Sequence, residues 1–243
     1  MPVADVSVRP RSRRGSAILI GSLVTLGAAS GAVGAPAPIK TQTAEVLYPV
    51  AARKAPNASS AKAVQLVHYT SFSRGPNLLM VTGTKLDDDG KIAWVQVQLP
   101  GRPNGRRAWV PREAVLLETT RYRVRVRVKS RKVELLRGGK VVKSFGAAVG
   151  TGGTPTPLGK WAIRDVFPAP ASPLGPKILV LTANSTVLQT FAGGKGEVAI
   201  HGWPDSSVLG KAVSHGCVRL SQSSVAQIAS KVGAGTPVDV VNT

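Results

Sequence analysis

Across 243 residues the chain carries 32 Lys+Arg against 12 Asp+Glu, a formal net charge of +20; 43% of its residues are hydrophobic and only 5% aromatic. A charge that large calls for a polyanionic neighbour such as nucleic acid, an anionic membrane or an anionic cell wall. With 26 glycines, 18 prolines and so few aromatics, the composition disfavours a helical bundle and suits turn-rich β structure.

The N-terminus narrows the choice of neighbour. Arg9, Arg11, Arg13 and Arg14 form a basic cluster, and no residue from Gly15 to Ile39 is charged. The stretch "AILIGSLVTLGAASGAVGA" is apolar and fades into small residues. This pattern predicts that residues 1–35 are an export signal cleaved near Gly34 or Ala35, or a retained anchor, since about 20 apolar residues span a bilayer. The expected location is therefore outside the cytoplasm, in the cell wall or periplasm. Asp5 and the four arginines are the only charges in the first 35 residues, so the positive excess belongs to the remainder. Anionic cell-wall polymers are then the expected partners. Nucleic acid is not expected, and membrane contact is expected only through the N-terminal segment.

Residues 36–62 are rich in Ala, Pro and Ser and predict a linker. From Ala63 the pattern tightens into short β-type runs, "AVQLVHYTS", "NLLMVTGTKL", "IAWVQVQLP" and "RRAWVPREAVLL", separated by the turn clusters "RGPN", "DDDG" and "PGRPNG". These runs predict a small β-barrel or sandwich over residues 63–118. The ending "WVQVQLPGRPNGRRAWVPREAVLL" resembles the last hairpin of bacterial Src-homology-3-like domains.

A second block, residues 121–243, opens on "RYRVRVRVKSRK". Arg121, Arg123, Arg125, Arg127 and Lys129 alternate with Tyr122, Val124, Val126 and Val128, giving one apolar and one basic face. With no acid interleaved, the basic face is a candidate anion-binding surface as well as a solvated strand face. "VELLRGGKVVKSFGAAVG" predicts a hairpin turned by Gly138 and Gly139 at positive φ. "KWAIRDV", "KILVLTA", "TVLQTF", "EVAIHG" and "TPVDVV" predict further strands. In "SQSSVAQIASKVG" the apolar positions 225, 228, 229 and 232 share one face of a helix, with Ser221 as N-cap and Gly233 as C-terminal stop. The expected fold is mainly β with little helix.

Cys217 is the only cysteine. It can form no internal disulfide, which leaves a stray thiol, a metal ligand or a nucleophile. A thiol becomes a nucleophile when a base takes its proton or a cation stabilises the thiolate. His201 ends a predicted strand 16 residues upstream, across "GWPDSSVLGKAV", a loop long enough to fold it back beside Cys217. His215, two residues before the cysteine, is the poorer geometric choice for the base. Gly216 permits positive φ or close approach of a substrate. The successive N–H groups of His215, Gly216 and Cys217 form a candidate oxyanion hole, each donor worth up to about 3–4 kcal/mol in acyl transfer. Zinc held by His201, His215 and Cys217 is the metal alternative, but no Cys-x-x-Cys, His-x-x-x-His or nearby carboxylate cluster supports it.

These residues match a family. "IHG…SHGCVRL" resembles the catalytic signature of bacterial L,D-transpeptidases, and "VGTGGTPTPLGKW" resembles a second family segment, a "PTP-x-G" loop entering a strand. The resemblance covers residues 121–243 and implies a β-rich catalytic domain without metal or organic cofactor. It implies that Cys217 attacks the carbonyl of the third residue of a peptidoglycan tetrapeptide stem, releases D-alanine, and passes the acyl group to a second stem as a 3→3 cross-link. It further implies that His201 moves the proton, that the Gly202 carbonyl orients its ring, and that Ser214 and Arg219 hold the loop or contact substrate. In family members with this chemistry, carbapenems acylate the cysteine. Water or a protein lysine as acceptor would make the same acyl-enzyme a carboxypeptidase or an anchoring transferase. A non-catalytic wall-binding protein is a further alternative. The expected state is a monomer acting on peptidoglycan stem peptides. The arginine-rich first strand and the proline-rich "FPAPASPLGPK" depart from the family pattern and bear on substrate preference.

Overall fold

The computed structural model describes residues 40–243, so the predicted signal or anchor at 1–35 lies outside them. The chain is mostly β, as its composition predicts. It folds over two separate hydrophobic clusters, one under each of two large sheets.

Seven strands build the first sheet: β1 (Thr41–Val46), β2 (Val50–Arg53), β3 (Lys62–Leu66), β4 (Leu78–Leu86), β5 (Ile92–Gln98), β6 (Arg107–Pro111) and β7 (Val115–Thr120). Their order is β3-β2-β6-β5-β4-β1-β7. The segment 36–62, expected as a linker, instead supplies β1 and β2. Its alanines and valines look like linker composition, but Ala44, Val46 and Ala52 are fully buried. β1 is paired on both edges, to β4 and to β7, so it is an interior strand and its small side chains are covered.

The second sheet takes β8 (Tyr122–Arg127), β9 (Lys132–Arg137), β10 (Lys140–Gly146), β12 (Gly159–Pro168), β13 (Lys177–Asn184), β14 (Glu197–Trp203), β16 (Val218–Ser221) and β17 (Pro237–Val241), in the order β10-β9-β8-β17-β12-β13-β14-β16. Two short strands, β11 (Val149–Gly150) and β15 (Ala212–Ser214), pair separately. Gly138 (φ 59°) and Gly139 (φ 88°) turn the β9–β10 hairpin, the backbone a tight turn requires. Helix α1 (Gln222–Ala229) is capped by Ser221, whose Oγ accepts the Ser224 N–H at 3.1 Å. It buries Val225 and Ile228 against the second cluster. It ends at Ala229 with Ser230 as C-cap, before Gly233, and the Lys231 N–H bonds the Ile228 carbonyl at 2.9 Å, an i→i−3 bond that tightens the last turn.

Two further expectations are corrected. "TVLQTF" is a loop and not a strand: the Ser185 Oγ accepts the N–H groups of Val187 (3.2 Å) and Leu188 (3.0 Å), diverting backbone donors from any ladder. The basic face of β8 is not without acids. Arg123 pairs with Asp239, its Nη1 donating to both carboxylate oxygens (2.8 and 2.9 Å), and Arg125 and Arg127 share Glu134. Both acids come from the flanking strands, β17 and β9, where pairing register sets them opposite Arg125. Cross-strand relief of this kind is invisible along one strand.

The two sheets are fastened by polar groups buried between them. The Asp165 carboxylate, 2% exposed, accepts the N–H groups of Phe72 (3.2 Å) and Ser73 (3.1 Å) and the Ser73 hydroxyl. Gln98 bridges to the Lys160 carbonyl and the Thr182 hydroxyl, each at 2.8 Å. Removing the acceptor orphans three donors at once. Asp165→Ala is therefore expected to cost about 3 kcal/mol, read as a lower chemical-denaturation midpoint, with Asp165→Asn retaining part of the loss; an unchanged midpoint for Ala contradicts this account.

Candidate active site

β14 and β16 run parallel, with Ile200 opposite Val218 and His201 opposite Arg219. A parallel neighbour needs a crossover of a dozen or more residues, and the segment from Pro204 to Cys217 supplies it. The period of two then sorts the side chains. Val198, Ile200, Val218 and Leu220 turn into the core. Ala199, His201, Trp203, Cys217 and Arg219 line the opposite side, in a cavity of about 420 Å³ that Leu174, Ile178, Phe191 and His215 complete. Neighbouring strands stand about 4.8 Å apart and rise about 3.3 Å per residue, so the diagonal pair His201 and Cys217 is roughly 8 Å apart at the backbone, a gap two side chains on one face can close.

His201 is buried, and its Nδ1 donates to the Gly202 carbonyl at 2.7 Å. That bond places the proton on Nδ1 and leaves Nε2 as the acceptor. Gly202 permits the close packing behind it: a Cβ there would stand 3.0 Å from the Leu174 carbonyl oxygen and 3.1 Å from the Gln222 Cα. Burial lowers the His201 pKa; the Gly202 bond opposes this and the Arg219 charge adds to it. Burial raises the Cys217 thiol above its ordinary value, against a hydrogen bond from the Ala199 N–H and the charge of Arg219. Both shifts favour the uncharged forms, a thiol at Cys217 and a neutral imidazole at His201.

The loop that carries Cys217 is organised by Ser214. Its buried hydroxyl donates to the Cys217 carbonyl at 2.5 Å and accepts the Gly216 N–H at 3.1 Å. The Gly216 donor is thus consumed within the loop. Gly216 serves through its φ of 117°, and the oxyanion donors to consider reduce to the N–H groups of His215 and Cys217. The "VGTGGTPTPLGKW" segment underlies this loop through the residues that precede its prolines. The Thr151 N–H (3.0 Å) and the Thr154 hydroxyl (3.1 Å) both donate to the Ser214 carbonyl. The two stretches singled out in the sequence therefore form one structural unit.

Arg219 places its guanidinium 3.8 Å from the centre of the Trp203 ring, and its Nε has no hydrogen-bond partner among the described residues. His215 is exposed at the rim, and its ring lies 5.0 Å from that of Phe191. Sequence reasoning missed Trp203 and Phe191. Trp203 carried a usable signal, two residues beyond His201 on a strand. Phe191 carried none, since it reaches the site from a loop. Among the described residues no group of three or more His, Cys, Asp or Glu side chains is placed to hold a metal ion.

The family model of the YkuD L,D-transpeptidase catalytic domain matches residues 121–240. A YkuD protein of Bacillus licheniformis is 34% identical over 123 residues, covering 51% of this chain and 67% of that protein. One of Bacillus subtilis is 31% identical over 122 residues, covering 50% and 67%. A solved L,D-transpeptidase structure from Mycobacterium smegmatis is similar at a TM-score of 0.41 and 17% identity, covering 61% of this chain and 90% of that one. The matched residues span β8 through most of β17, with the cavity, its cysteine and its histidine inside them, and the chain belongs to the YkuD L,D-transpeptidase catalytic domain family.

Proposed function

We propose that this protein is an exported L,D-transpeptidase that forms 3→3 peptidoglycan cross-links through a thioester on Cys217. The observation that carries the reading is the register of β14 against β16. It sets His201, with Nε2 free to accept, diagonal to Cys217 in one cavity. In the first half-reaction the Cys217 sulfur bonds to the carbonyl carbon of the third stem residue while its proton passes to His201 Nε2. The tetrahedral intermediate collapses, the C–N bond to the terminal residue breaks, and D-alanine leaves with that proton on its amine. In the second, the side-chain amine of another stem attacks the thioester and its proton passes to His201. The new amide forms as the sulfur departs and is reprotonated.

The N–H groups of His215 and Cys217 face the developing oxyanion in this reading. Arg219, stacked on Trp203, supplies positive charge at the cavity wall, suited to the carboxylates of a stem peptide. The first sheet is read as a Src-homology-3-like module, and the net charge of +20 favours retention on anionic wall polymers.

The test is incubation of residues 36–243 with disaccharide tetrapeptide muropeptides, followed by mass analysis. A cross-linked dimer with loss of one D-alanine is the expected product. Tripeptide alone makes the protein a carboxypeptidase, and no product with an intact thiol removes the proposal.

A further inference from the structure

We propose that Arg102, in the loop joining β5 to β6 of the first sheet, is a positioning residue for the Cys217 cavity on the second. Its guanidinium donates to three backbone carbonyls of one loop, those of Lys195 (2.6 Å), Ser185 (2.8 Å) and Leu188 (2.8 Å). These carbonyls lie at both ends of the Ser185–Gly196 segment, so one side chain draws the base of the loop together. Asn104 secures the same base by a reciprocal pair with Asn184, at 2.7 Å from its Nδ2 to the Asn184 carbonyl and 2.8 Å from the Asn184 N–H to its Oδ1. Gly196 fits the arrangement. It lies at φ 68°, and a Cβ there would fall 2.3 Å from the Leu188 carbonyl oxygen and 3.1 Å from the Arg102 guanidinium.

The loop so held carries Phe191. Phe191 is a wall of the nucleophile cavity, and its ring lies 5.0 Å from the ring of His215 in the nucleophile loop. The span's own backbone pairing, the Phe191–Gly194 bridge and the Ser185 N–H bond to the Gly196 carbonyl, closes its tip and base but does not anchor it to the rest of the molecule. Three charge-assisted bonds from a planar guanidinium do, and a lysine offering one compact charge cannot reproduce the fork. A chain of contacts therefore runs from the first sheet through Arg102 to Phe191, His215 and the cavity. The first sheet becomes part of the catalytic apparatus and not only a tether. The kinetic side of this inference rests on Cys217 being the nucleophile; the geometric side does not.

The full chain has a single cysteine, so thiol alkylation by iodoacetamide reports the Cys217 cavity alone. Arg102→Ala and Phe191→Ala are each expected to change the alkylation rate of folded protein by about tenfold, upward as the wall opens. The double variant is expected to match Phe191→Ala, because both changes remove one wall. Arg102→Lys should lie between the parent and Arg102→Ala. A parental rate in Arg102→Ala, or a double variant whose effect is the product of the single ones, overturns the proposal. So does a lower melting temperature with no change in alkylation, the mark of a merely structural arginine. If Arg102→Ala does not fold, Arg102→Lys and Phe191→Ala with their double variant decide by the same two criteria. Muropeptide turnover is measured alongside. If the parent turns over nothing while the alkylation pattern holds, the transpeptidase reading falls and the Arg102 inference stands.

Discussion

Cys217→Ala is expected to leave a folded protein that forms no covalent adduct with a tetrapeptide stem. The parent should gain the mass of the stem less one D-alanine, and the variant should gain nothing. Loss of a nucleophile that works as a unit with its base costs on the order of 10⁶-fold in rate, which puts turnover below detection. The fold should tolerate the change. Cys217 is half-buried, its Oγ-tethered carbonyl is held by Ser214 whatever the side chain, and the sulfur packs no core position. A stability change of about 1 kcal/mol or less separates loss of chemistry from loss of structure. An adduct on the alanine variant would move the nucleophile elsewhere.

His201→Ala is expected to slow acylation by roughly 10²–10⁴-fold, the usual contribution of a positioned general base. The pH dependence sharpens this. Burial holds the His201 imidazole below its ordinary value and the Cys217 thiol above its own. The base form of His201 therefore persists to lower pH than in a free imidazole, and the acid limb of kcat/KM should fall below about pH 6.5. The thiol keeps its proton past its ordinary value, so no pre-formed thiolate supports the rate at neutral pH. In His201→Ala the acid limb should vanish and the residual rate should climb as the thiol ionises on its own. An acid limb retained in the variant assigns the base to another group, with His215 first in line. A thiolate already present at neutral pH in the parent would reverse the neutral-pair reading.

These expectations reach different depths in the sequence. Cys217, His201 and the spacing between them are local facts, because the alternation of β14 and the glycine beside the cysteine are written along the chain. The same holds for the Gly138–Gly139 hairpin and the Ser221-capped helix, where one or two residues dictate φ or satisfy an orphan N–H. The "VGTGGTPTPLGKW" segment was visible as a motif but not as a support. Its bonds to the Ser214 carbonyl join residues some 60 positions apart.

What only the tertiary structure decided is every matter in which a partner is distant in the chain. The arginine stripe of β8 appears unopposed until pairing brings Asp239 and Glu134 beside it. β1 looks like linker because alanine and valine reveal little alone, and only a neighbour on each edge makes them core. The Gly216 N–H looked free until the Ser214 hydroxyl was seen to occupy it. Phe191 and Arg102 carry no local signature, since a loop residue's place depends on the carbonyls that hold the loop. The sequence by itself determined the candidate reacting groups and the β periodicity, because those depend on residue type and near neighbours. Tertiary structure determined charge pairing, donor availability and the walls of the cavity, because each requires groups far apart in sequence to occupy one place.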